Sequence, residues 1–206
     1  EVLPAKWMGR AAFDVPTNRM PDGRLVLIYL DERMVNASPF ATKSTLDTAH
    51  AVIDQLSPSD VAAVGFALDH KGAQEFTTDR ARLHTAVDTF SASGWVPISI
   101  VGTLRDLSQL LGSIPERRKI IIYIGAGQNF STEVLSAMER TTTQGTAPPF
   151  GAADQASQLN QYNGLLSLFR VANRANVSIY TIDPNGLDES NPTSGPKEFL
   201  RLVANS

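Results

Sequence analysis

The run Ile120–Ile124, five β-formers in a row between Arg118-Lys119 and Gly125-Ala-Gly127, sets the tightest limit on what this chain can become. It is far short of the roughly 20 apolar residues that a membrane-spanning helix needs. Its side chains do not alternate apolar with charged, so neither face is marked for water, unlike a strand of a one-sided antiparallel sheet. What remains is a strand of a parallel sheet, covered on both faces and ending in a glycine loop. Leu25–Asp31 (LVLIYLD) and Val61–Leu68 (VAAVGFAL) repeat the pattern.

Helical segments fall between these strands. A helix is predicted over Phe40–Leu56, with Leu46, Ala49, Ile53 and Leu56 at helical spacing. Asp69-His-Lys-Gly forms a hairpin to a short strand, Ala73–Phe76, which must run antiparallel at an edge because the connection is too short for a crossover. Thr77 or Thr78 caps the next helix, with Leu83, Val87 and Phe90 facing inward. Ser91–Gly102 reads as a loop, and Thr103-Leu-Arg-Asp106 as a helix start resembling a capping box. Gln128–Ala153 is too rich in Thr, Gly and Pro for a stable element. A long helix over Asp154–Ala175 follows, with Leu159, Tyr162, Leu166, Phe169 and Val171 on or near one face. A strand ends at Asp183-Pro-Asn-Gly, and a last helix opens at Lys197. The alternation predicts an α/β fold: a doubly wound, mostly parallel sheet with one antiparallel edge strand and helices on both faces. Residues 1–23, with prolines at 4, 16 and 21, read as an extended arm, and 24–206 as the domain.

Composition narrows function mainly by exclusion. A net charge of −3 leaves no basic footprint for nucleic acid or an anionic membrane. No apolar run is long enough to span a bilayer. The absence of cysteine removes disulfides, thiolate metal sites and cysteine nucleophiles. There is no Gly-x-Ser-x-Gly, no His-Glu-x-x-His and no phosphate-binding loop. Gly125-Ala-Gly127 invites a dinucleotide reading, but Phe130 stands at the third glycine position. His50, His70 and His84 have no partner at metal-ligand or triad spacing and read as solvated or capping.

Four stretches carry a resemblance: LVLIYLD, then DVAAVGFALDHKGAQEFTTDRARL, then LRDLSQLLGSIPERRKIIIYIGAG, and NVSIYTIDPNGL. In this order they resemble the von Willebrand factor type A domain, and most closely its bacterial, largely acidobacterial, related group. The likeness covers roughly residues 25–206 and implies a Rossmann-type three-layer fold. It also implies that a further strand and helix normally follow the helix at Lys197, so the domain is expected to be C-terminally incomplete. The family's hallmark is a metal-ion-dependent adhesion site, in which hard oxygen ligands hold a divalent cation that takes an acidic group from a partner. Carried onto this chain, Asp31 matches the first acid. The two Ser positions fall on Arg33 and Val35, Thr103 is the candidate for the Thr, and the late Asp falls on Ala126 or Gly125.

One carboxylate and one hydroxyl are too few to hold Mg²⁺. Arg33 either replaces the ion, pairing with Asp31 across the strand end, or points to solvent. The expectation is therefore a non-catalytic protein–protein interaction or structural subunit with a degenerate adhesion site, no cofactor and no metal. The alternative is a metal-dependent adhesion domain using Mg²⁺ at a relocated site built from Asp31 and Thr103, and a nucleotide- or small-molecule-binding enzyme at the Gly125 loop comes third. Partner contacts are expected at the carboxyl ends of the strands, through Phe40, Trp95, Gly125, Gly127, Phe130 and Asp183, and at Trp7 of the arm. Further expectations are an exported location, protein partners in a larger assembly, no nucleic acid, and membrane association only by way of a partner.

Overall fold

The computed structural model describes residues 23–33, 39–93, 96, 98–115, 117–127, 152–184 and 195–204. The arm with Trp7, and Val35, Trp95 and Phe130, lie outside them. In chain order the elements are β1 (Leu25–Leu30), α1 (Pro39–Asp54), β2 (Val61–Phe66), a 3-10 turn (His70–Gly72), β3 (Gln74–Thr77), α2 (Arg80–Val87), α3 (Ile100–Gly112), β4 (Lys119–Ile124), α4 (Ala152–Ala175), β5 (Val177–Ile182) and α5 (Gly195–Ala204). The sheet runs β3-β2-β1-β4-β5, parallel throughout except for β3, which pairs antiparallel with β2 at the edge. This is the expected three-layer α/β fold.

Strand alternation sorts the core into two halves. Leu25, Leu27, Tyr29, Ile121 and Tyr123 pack on one side with α3, α4 and α5. Val26, Ile28, Leu30, Ile120 and Ile124 pack on the other with α1 and α2. All six β1 residues are buried, so their continuous hydrophobicity follows from cover on both faces. From β1 the chain winds outward to β2, then returns to place β4 on the other side of β1. The β1–β4 seam is thus the topological switch point, where the strand ends leave a crevice.

Local chemistry corrects three details. The cap of α2 is Asp79, whose carboxylate accepts from the amides of Ala81 and Arg82, while Thr77 holds the Asp79 amide. Aspartate is as good a cap as threonine and stood one or two residues nearer the helix. Helix α3 begins at Ile100, not Thr103, because the Ser99 hydroxyl accepts from the Gly102 amide at 3.2 Å and Ile100, Val101 and Leu104 already form the buried stripe. On α4 the buried residues are Leu165, Leu168 and Ala172, while Leu159 and Tyr162 are exposed. Leu159, Tyr162, Leu165, Leu166, Leu168 and Val171 spread over more than one face of that helix, so spacing alone does not choose the inward one. Leu83, Val87 and Phe90 face inward as expected.

Candidate functional site at the β1–β4 strand ends

The alternation that sends Leu27 and Tyr29 toward α3–α5 carries Asp31 past the end of β1 on that same side. Its amide donates to the Ile124 carbonyl at 2.9 Å, extending the β1–β4 ladder by one residue. Asp31 is 0% exposed, and its carboxylate is enclosed by donors. Arg33 Nε donates to Oδ1 at 2.8 Å and Nη2 to Oδ2 at 2.9 Å, a two-pronged fork. The Arg33 amide donates to Oδ1 at 3.1 Å. The Tyr123 hydroxyl, from β4, donates to Oδ2 at 2.6 Å. Those four donors match the roughly four lone-pair sites of an ionised carboxylate.

The cluster continues outward. Arg33 Nη1 donates to the Ile98 carbonyl just before α3, and the Gly127 amide donates to the Tyr123 hydroxyl at 3.3 Å. Glycine is required twice in the loop after β4. A Cβ on Gly125 would lie 2.6 Å from Asp31 Cβ and 2.7 Å from the Tyr123 hydroxyl. Gly127 has φ of 80°, in the left-handed region.

Arg33 is 5% exposed, so it does not face solvent. Burial lowers the pKa of its guanidinium, but the hydrogen bonds and charge of Asp31 outweigh this and raise it. Burial and the Asp31 charge push the Tyr123 phenol well above its ordinary value and raise Tyr29 in the same way. The cluster is therefore one carboxylate and one guanidinium beside phenols that burial and the Asp31 charge keep neutral.

The other sequence candidates are placed less closely. Thr103 lies in the first turn of α3, its hydroxyl donating to the Ser99 carbonyl at 3.1 Å. Ala126 is half-buried in the loop after β4, and Asp183 is half-buried directly after β5. Phe40, in the first turn of α1, is 75% exposed. Sequence reasoning missed Tyr123, although it is the one polar side chain within Ile120–Ile124 and stands two residues before Gly125. The register puts it opposite Tyr29, one alternation step from Asp31.

It missed Glu32 as well, which turns to the opposite face. Its Oε2 accepts from the amides of Leu68 at 2.6 Å and Asp69 at 3.4 Å. Burial raises its carboxyl pKa, and those two amides offset only part of the effect. Glu32 lines a cleft of about 260 Å³ with Phe66, Asp69, Lys71, Gly72 and Thr89. His50 and His84, expected to be solvated or capping, instead pair with each other across α1 and α2.

Among the described residues, no helix is long and apolar enough to cross a membrane, and no group of three or more His, Cys, Asp or Glu is placed to hold a metal ion.

No protein-family model and no curated protein matches the chain. Among solved structures, the conserved hypothetical protein BatB from Bacteroides thetaiotaomicron is similar, with a TM-score of 0.54 and 15% identity. That match covers 89% of this chain and 86% of the other. An aerotolerance-related membrane protein from Bacteroides fragilis NCTC 9343, bearing multiple mutations to serines, gives a TM-score of 0.41 with 14% identity, over 89% of this chain and 100% of the other. The likeness to BatB is one of fold and agrees with the mostly parallel, three-layer α/β arrangement.

Proposed function

We propose that this chain is a non-catalytic protein–protein interaction or structural subunit, built on a von Willebrand A-like domain whose adhesion-site position is closed by an internal cation. The observation that carries this reading is the fork of Arg33 on Asp31, completed by Tyr123. Carried over from the resemblance, Arg33 occupies the first Ser position of the metal site, and its guanidinium supplies the positive charge that an ion would bring.

The donor set does not fit a hard divalent cation. Both Asp31 oxygens are already engaged, Arg33 repels a cation, and the Thr103 hydroxyl is turned to its own helix. Ala126 contributes no side-chain oxygen at the late acid position. The third reading, a nucleotide at the Gly125 loop, is disfavoured because the Gly127 amide is turned to Tyr123.

With a sealed site, recognition passes to shape and polarity around the strand ends: the loop Gly125–Gly127, Asp183 and the exposed Phe40. Partners are other proteins, in an exported assembly that meets a membrane only through them. In a thermal-shift titration, Mg²⁺, Mn²⁺ and EDTA leave the melting temperature unchanged. A saturable rise with Mg²⁺ or Mn²⁺ that EDTA reverses would instead establish the metal-dependent adhesion reading.

A further inference from the structure

Helices α1 and α2 each carry a histidine followed four residues later by an aspartate: His50 and Asp54 on one, His84 and the C-cap residue Asp88 on the other. Four residues is one helical turn, so each pair shares a face. The helices run antiparallel, since Arg80 at the start of α2 donates to the Ile53 and Leu56 carbonyls at the end of α1. This orientation sets each histidine beside the other helix's aspartate. His50 Nε2 lies 3.1 Å from Asp88 Oδ1, and His84 Nε2 lies 3.1 Å from Asp54 Oδ1. The two Nδ1 atoms are 2.7 Å apart. The ring centroids are 4.9 Å apart, farther than the nitrogens by nearly a ring's breadth. The imidazoles therefore meet head-on, nitrogen to nitrogen, which suits a hydrogen bond rather than face-to-face stacking or two lone pairs converging on a metal.

A proton count follows. Each Nε2 faces a carboxylate, which accepts and does not donate, so each Nε2 carries a hydrogen. The Nδ1–Nδ1 contact needs one more. The rings together hold three N–H hydrogens, one more than two neutral imidazoles supply. We propose that His50 and His84 form a proton-binding latch between α1 and α2, taking up one proton from water and sharing it between their Nδ1 atoms. Losing it sets two lone pairs against each other, and adding a second sets two N–H groups head to head. The α1–α2 contact is therefore tightest in the intermediate state.

The surroundings favour a cation here. Asp54 and Asp88 both stand at helix C-termini, where the macrodipole disfavours negative charge and an imidazolium relieves it. On α1, Asp47 is paired with Lys43. On α2, Arg80 is engaged with the carbonyls of Ile53, Leu56 and Ser57, and Arg82 with Asp79. Of the strands packed against these helices, β2 carries no titratable group and β3 carries Glu75. On β4, Lys119 is held by the Ala175 carbonyl and Tyr123 by Asp31. The histidine side chains are 28% and 31% exposed, so solvent protons reach them.

Long-range ¹H–¹⁵N NMR of the full chain, followed across the imidazole titration range, tests the latch, with His70 as internal reference. The expected result is a coupled two-step titration of His50 and His84 through a state with both Nε2 protonated and one Nδ1 hydrogen shared. His50→Gln should collapse His84 to a single step. In a double-mutant cycle with His50→Gln and His84→Gln, the two residues should couple by roughly fivefold in the unfolding constant. That coupling should turn unfavourable at acid pH, where a second proton sets two N–H groups head to head. Independent one-step titrations that ignore the partner's removal, or a coupling unchanged by pH, would overturn the proposal.

Discussion

Asp31 sits fully buried as a charge, and in such a place a carboxylate persists only with its partners. Arg33→Met, which keeps the stem but removes the fork, should destabilise the protein by about 3–5 kcal/mol in urea unfolding. Adding Asp31→Leu should recover much of that loss, since removing both charges leaves neither unpaired. Tyr123→Phe should cost about 1–3 kcal/mol, the usual penalty for leaving a buried acceptor short of a donor. If Arg33→Met unfolds at wild-type urea concentration, the fork is not structural. The Asp31–Arg33 pairing was legible only as one of two readings, the other sending Arg33 to solvent. The positions are adjacent in the resembled pattern, but nothing in the sequence reports burial of the guanidinium. Tyr123 was not legible, because a tyrosine inside a run of isoleucines reads as one more β-former until the register sets it opposite Tyr29 and its hydroxyl reaches Asp31.

Among the helices, boundaries were harder to read than existence. Ser99 and Asp79 cap α3 and α2, yet each stands in a stretch with several capping residues, and only the backbone turn selects among them. Asp79→Ala should cost about 1 kcal/mol, read as a shift in the denaturation midpoint, whereas Thr78→Ala should cost little. An equal loss from both would return the cap to the threonines. The strands were read more surely than the helix ends, because burial on both faces writes itself as an unbroken apolar run. The inward face of α4 escaped for the opposite reason: an excess of apolar residues. The His50–His84 pairing was invisible for a third reason, that nothing in a linear chain reports which turns of two antiparallel helices lie opposite each other.

For the whole molecule, two buried carboxyls should act in opposite directions as pH falls. Burial pushes Asp60 up, but Arg24, with the amides of Arg24 and Ser57, more than reverses this and holds it at about 2, against an ordinary 3.8. Its contribution is fully present above 3.8 and lost as pH falls toward 2, so Asp60→Asn should flatten the acid limb of the stability curve. Glu32 is raised above 4.5, so the folded state binds its proton more readily than the unfolded, and falling pH favours folding through this group. Glu32→Gln should keep the acceptor for the Leu68 and Asp69 amides while removing that slope. Urea melts across pH distinguish the two, and parallel curves for wild type and Glu32→Gln would refute the second.

At this scale the layered architecture could be read from alternating patterns, while the use of the strand ends could not, because the same fold serves many functions and only side-chain placement distinguishes them. The most direct measurement is a crystal structure of the wild-type protein grown with Mn²⁺, inspected for anomalous density beside Asp31. The account predicts Arg33 and Tyr123 on the carboxylate and no manganese peak there. A peak coordinated by Asp31, with the Arg33 side chain displaced, would contradict it.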